Sequence, residues 1–234
     1  MKIDTVVSGI KNLVNNEWLR RTGKALLYAL HVVVHPFDGF WDLKNEKRGT
    51  ASAATIIVIL VLMTRLLSLQ FTSFQFMEVN WEKINIWMEM AQILLPLTIW
   101  VVANWCLTTL FDGKGSMTEV YIATAYALAP YVLSQIPLFI FSNMGTNEEG
   151  ALYVFFNSLS ILWCAALLLV GLSQTHDYTM RKTVLSVVAS VVGMIVIVVL
   201  CLLIFSMASA AVAYFTSFFQ ELSIRFYIGR WRHA

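Results

Sequence analysis

Residues 104–137, NWCLTTLFDGKGSMTEVYIATAYALAPYVLSQIP, decide the fold. They read as the end of one membrane helix, a tight Asp112-Gly113-Lys114-Gly115 turn, and a second membrane helix broken by Pro130 and Pro137. A proline inside a helix removes a backbone donor and clashes with the preceding turn, so Pro96, Pro130 and Pro137 each predict a kink. On either side of this hairpin the chain is as apolar as the hairpin itself.

The 234 residues are 59% hydrophobic and only 13% charged. Soluble domains run to about 45–50% apolar and about 25% charged. The mean hydropathy of +0.71 agrees with a membrane class. A net charge of +2 gives no argument for nucleic acid. Cys106, Cys164 and Cys201 lie inside apolar runs with no Cys-x-x-Cys spacing, and read as inert buried thiols. The first residues lack the apolar core and small-residue site of a cleavable signal peptide, so the first span is expected to act as the insertion signal.

A spanning helix needs about 20 mostly apolar residues. Five segments qualify: about 53–74, 86–111, 120–141, 151–174 and 184–219. The expected fold is an all-α integral membrane protein with five transmembrane helices, preceded by amphipathic interfacial helices. Its regions are a cytoplasmic amphipathic start (1–50), a five-helix membrane domain (51–220) and a basic aromatic tail (221–234). The fifth segment carries no charge between Lys182 and Glu221 and is too long for one bilayer crossing. It reads as one long helix, with Gly193 or the small-residue run 206–213 as the alternative breaking points.

In the N-terminal region, Ile3, Val6, Val7, Ile10, Leu13 and Val14 recur at helical spacing. Trp18, Leu26, Leu27, Leu30, Val33 and Val34 do so again, with Arg20, Arg21 and Lys24 off that face. Such helices lie on the membrane, or pack on the protein's own bundle or on a partner. Pro36 ends the second of them, and the following HPFDGFWDLKNEKRG reads as turn-like, with Phe37, Phe40 and Trp41 as interfacial anchors.

Lys and Arg crowd the region before the first span and recur at Lys114, Arg181 and Lys182. The other two connections carry Glu78, Glu82, Glu148 and Glu149 against a single base, Lys83. The N-terminus is therefore expected in the cytoplasm and the protein in the cell membrane. In a eukaryotic cell the Golgi or endoplasmic reticulum is the alternative. Arg225, Arg230 and Arg232 oppose the outward C-terminus that five spans require.

Polar residues inside spans are the candidates for function. Arg65 reads first as a snorkelling side chain, otherwise as a gate or a charge partner for Glu89. Asn104, Gln135 and Asn157 read as interhelical glue, with a polar pathway as the alternative. Broken helices line sites in some transporters, although kinked packing helices are commoner. His31 and His35 have metal-compatible spacing but no third ligand nearby, and no metal or other cofactor is expected. His176-Asp177 reads as a solvated turn, with a proton-transfer pair as the alternative. No catalytic triad, zinc-protease motif, P-loop or dinucleotide fingerprint is present, which argues against an enzyme.

The order of an amide-bearing helix, LFDGKGS, YIATAYALAPY, and a helix ending in Gly171 before HDYTMRK resembles the Yip-domain family of Ypt/Rab-interacting membrane proteins, in its bacterial branch. The resemblance runs over about residues 36–217 and includes HPFDGFWDLK. It implies five membrane helices after a cytoplasmic N-terminal region, and no catalytic residues. Asp112, Gly113, Tyr126 and Pro130 become structural or partner-binding candidates by that resemblance. Eukaryotic members work in vesicle traffic with Rab GTPases. The acidic N-terminal tail of those members is missing here, which argues against such a partner in a bacterium.

Three functional classes follow. The first is a non-enzymatic accessory or scaffold subunit, in contact with the bilayer and with another integral membrane protein, a transporter among the candidates. The second is a small transporter or channel in its own right. The third is a membrane-shaping or lipid-handling protein. The DGKG turn, the basic N-terminal arm and HDYTMRK are expected on one composite cytoplasmic surface.

Overall fold

The computed structural model describes residues 17–73, 85–110, 113–145 and 149–231. Among them there is no strand. The helices are α1 (Glu17–Val34), α2 (Pro36–Asn45), α3 (Ala51–Phe71), α4 (Ile86–Leu110), α5 (Met117–Ala127), α6 (Ala129–Met144), α7 (Gly150–His176) and α8 (Met180–Trp231). Five stretches are long and apolar enough to cross a membrane: α3, α4, α5 with α6, α7 and α8. The expected fold class holds.

The third crossing is divided where Pro130 enters. Leu128 forms the joint, its N–H turning to Ala125 and Tyr126, and α6 begins with proline in its first turn. The helices α4 and α6 continue through Pro96 and Pro137. The fifth segment is one unbroken helix of 52 residues, with no interruption at Gly193 or at 206–213. Gly193 instead faces α4, where a Cβ would lie 2.7 Å from the flexible end of Leu107.

The turn-like reading of HPFDGFWDLKN is corrected. Residues 36–45 form α2, with Pro36 in the first turn, Asp38 near its N-terminus and Lys44 near its C-terminus, each placed to suit the helix dipole. Tertiary burial outweighs the turn propensity of Asp38 and Gly39, because Phe40 and Leu43 enter the core. Phe40 is thus no interfacial anchor, whereas Phe37 and Trp41 are about half exposed. The Phe40 ring lies against Gly171 of α7, where an added Cβ would fall 2.9 Å from Cε1. Gly171→Val is expected to cost about 1–3 kcal/mol through overpacking, read as a lower unfolding temperature in detergent.

The N-terminal arm packs on the bundle. Its buried stripe is Thr22, Ala25, Ala29 and Val32, not the larger residues of the expected apolar face. Small side chains let α1 come close to α3 and to the α5–α6 joint, while Leu27, Leu30 and Val34 stay exposed. The expected helix over residues 3–14, and the side chain of Trp18, lie outside the described residues.

The core joins α1, α2, α3, α5 and α7 around Tyr126, Val32, Ala53 and Leu167. Packing of α8 is confined to its first turns against α4 and α7, where Thr183, Ser186 and Ser190 are buried. From Val198 to Gln220 every residue is exposed.

Candidate functional site

One end of the bundle gathers the α4–α5 connection, the α7–α8 connection and α2. The first connection leads into α5 through a capping box. Ser116 Oγ accepts from the Glu119 N–H at 3.3 Å, and the Glu119 carboxylate accepts from the Ser116 N–H at 2.8 Å. The second leaves α7 at Asp177, which takes the left-handed conformation with φ 56°. The N–H of Tyr178 then returns to the Ser173 carbonyl at 3.0 Å, closing the helix end.

His176 is buried between these connections, which corrects its reading as a solvated residue. The Gly115 N–H, a donor that cannot reverse, reaches Nδ1 at 3.2 Å. Nδ1 must therefore accept, and the ring is satisfied as the neutral Nε2–H tautomer. Nε2 then donates to Asn104 Oδ1 at 3.1 Å, and Asn104 Nδ2 donates to Ser190 Oγ at 3.1 Å. The chain Gly115–His176–Asn104–Ser190 ties the α4–α5 connection to α7, α4 and α8. Glycine is required beside it for space: a Cβ at Gly113 would lie 2.5 Å from Tyr178 Oη and 2.9 Å from His176 Nδ1, and one at Gly115 would lie 2.7 Å from His176 Cε1.

Asp177 does not pair with His176. It binds Lys44 of α2 at 2.7 Å and Lys114 at 3.5 Å, and Lys44 also donates to the Gln174 carbonyl at 3.2 Å. The hydrogen bond from Lys44, followed by the nearby charges of Lys44 and Lys114, holds the Asp177 carboxyl below its usual range. A lowered folded value stabilises the protein above the unfolded value of about 3.9, and the contribution disappears as pH falls through the folded value. The unfolding temperature of the protein should therefore fall more between pH 6 and pH 3 than that of Asp177→Asn. The difference is small because the carboxylate is half exposed.

The intramembrane candidates pair off in separate places. Arg65 of α3 binds Glu89 of α4, with Nη2 at 3.1 Å and Nε at 3.2 Å from the same carboxylate oxygen. Gln135 of α6 donates to Asn157 of α7 at 2.9 Å. Asn104 belongs to the His176 chain. Tyr126 is fully buried and donates its hydroxyl to the Ala25 carbonyl of α1 at 2.9 Å. Pro130 sits at the α5–α6 joint and lines an apolar cavity of about 790 Å³ between α6 and α7. Gly113 lies in the His176 chain's surroundings, and Asp112 lies outside the described residues.

Lys44, Gly115 and Tyr178 lie in stretches expected on the composite surface but are not individual candidates in the sequence, and Ser190 is not marked at all. One signal existed for Ser190: Thr183, Ser186 and Ser190 recur at helical spacing in an otherwise apolar run, and all three are buried. His31 and His35 stack at 5.0 Å between ring centres. Among the described residues no three His, Cys, Asp or Glu side chains are grouped to hold a metal.

The arrangement is a joint between connections, built from hydrogen bonds and one ion-pair cluster, with its charged side chains at one end of the bundle. Comparison with curated proteins and with solved structures returns no match. The family model described as the Yip1 domain matches residues 30–203. That stretch begins within α1, takes in the Gly113 and Tyr126 elements and the His176 joint, and ends within α8; the chain belongs to the Yip1 domain family.

Proposed function

We propose that this chain is a non-enzymatic accessory or scaffold subunit that assembles with another integral membrane protein through α8, its N-terminal arm facing the cytoplasm of a cell-membrane protein. The observation that carries the reading is the isolation of α8. Residues 183–220 carry no charge, and they form about 57 Å of helix at ~1.5 Å per residue. Tilted by 40°, the stretch still measures about 44 Å along the membrane normal, against a hydrocarbon core of about 30 Å. Lipid tails do not cover that length, whereas apolar helices of a second membrane protein do. The pairing of the intramembrane polar side chains with one another supports a structural role over a catalytic one.

The test is purification in several mild detergents, with native mass spectrometry and a photoreactive side chain placed at Phe205 or Val212. The expected result is a complex with a second membrane protein, crosslinked at those positions. A monomer under every condition, with no crosslink, sinks the reading. A transport system is the candidate complex.

A second reading, a small transporter in its own right, is supported by a cavity of about 650 Å³ beside Arg65. It has less support, because Asn104, Gln135 and Asn157 are bonded away from that cavity. Absence of solute flux in liposomes removes it.

A further inference from the structure

The cavity beside Arg65 lies among α3, α4, the α5–α6 joint, α7 and α8, and its volume of about 650 Å³ is that of a small-ligand site. Most of its wall is apolar, including Leu97, Leu168 and Met194. Both helices that carry a proline or a joint here lose a helical hydrogen bond at the wall. Pro96 has no N–H to return to the Gln92 carbonyl. The Leu128 N–H turns to Ala125 and Tyr126 and so leaves the carbonyl of Thr124 without its helical donor. Gln92 and Thr124 both line the cavity. So does Trp100, whose indole N–H is buried with no partner.

Unsatisfied donors and acceptors of this kind are costly in hydrocarbon. An acyl chain alone satisfies none of them. The charge of Arg65 is already matched by Glu89, so the site has no net attraction for an anionic headgroup. A hydroxyl accepts from the indole and donates its one proton to one of the freed carbonyls. The neighbouring cavity between α6 and α7 lacks this demand, because its Ser134 and Ser160 are bonded to each other.

We propose that the cavity bounded by Arg65, Gln92, Trp100 and the Leu128 joint binds an uncharged, hydroxyl-headed lipid of the acylglycerol class. Its hydroxyl lies against the broken backbone and Trp100, and its chain runs along the apolar wall. The proposal does not depend on the assembly through α8.

The full chain in phosphatidylcholine nanodiscs is irradiated with a photoreactive diacylglycerol, and the labelled peptides are mapped. Labelling is expected to concentrate on peptides of α4 and the α5–α6 joint. Excess dioleoylglycerol should compete at least tenfold better than dioleoylphosphatidylglycerol. Trp100→Phe, which removes the free donor, should lower labelling about tenfold. Gln92→Trp, at an exposed wall position, should do so by filling the space. If Trp100→Phe fails to fold, Gln92→Trp and the competition decide. Even labelling of all lipid-facing helices, equal or better competition by the anionic lipid, or unchanged labelling in a folded variant overturns the proposal.

Discussion

Tyr126→Ala is expected to destabilise the protein by about 3–5 kcal/mol, the range for emptying a fully buried aromatic site. Tyr126 is buried at the centre of the core cluster, and its hydroxyl holds the Ala25 carbonyl of α1. The substitution therefore removes packing from the third crossing and the hydrogen bond that fastens the N-terminal arm. Tyr126→Phe keeps the ring and should cost about 0.5–1.5 kcal/mol. Unfolding in detergent measures both. Trypsin gives a second readout, because Arg20 and Arg21 are exposed on α1. Cleavage there should speed up strongly in Tyr126→Ala as the arm detaches. A large loss of stability with unchanged cleavage would show that Tyr126 fills the core without holding the arm.

Asn104→Leu is expected to cost about 2 kcal/mol. It strands the His176 Nε2–H and removes the donor to Ser190, both in buried surroundings. Each stranded group costs about 1–3 kcal/mol in soluble proteins, and less in membranes, where the unfolded reference also finds partners. The sharper expectation concerns coupling. Asn104→Leu combined with Ser190→Ala should cost at least 0.5 kcal/mol less than the sum of the two single changes, because they share one hydrogen bond. Additive losses would mean that the two side chains act independently.

The membrane crossings were legible because a run of about 20 apolar residues has few other destinations. Residues 184–219 likewise read as one long helix, and α8 runs through them unbroken. The local signals failed where burial outweighed them. PFDGFWDLKN has the composition of a turn, yet Phe40 against Gly171 makes it α2. His176 sits beside Asp177 in sequence but points to Asn104, while Asp177 points to Lys44. Adjacent residues at a helix end diverge in this way because the left-handed cap turns the chain at Asp177.

Pairing between spans was only partly legible. A charge partnership with Glu89 is an alternative to the snorkelling reading of Arg65, and the two are bonded. Nothing in the pattern matched Gln135 with Asn157, or Asn104 with Ser190, because periodicity assigns a residue to a face and not to a neighbouring helix. The close approaches at Gly113 and Gly115 were hidden for a similar reason. A glycine in a turn looks the same whether it serves the turn or the histidine packed upon it.

The seating of α1 has one more consequence. Leu26, Ala29 and Leu30 share a pocket with Ile57, Leu60, Ala129 and Leu133, residues well inside the first and third crossings. The arm is thus sunk beside the bundle at the end that carries the ion-pair cluster, while α8 leaves the packed helices on its way toward the opposite end. Among the described residues α1 thus adds the width of a helix to that end of the bundle, a width that the five crossings alone do not account for.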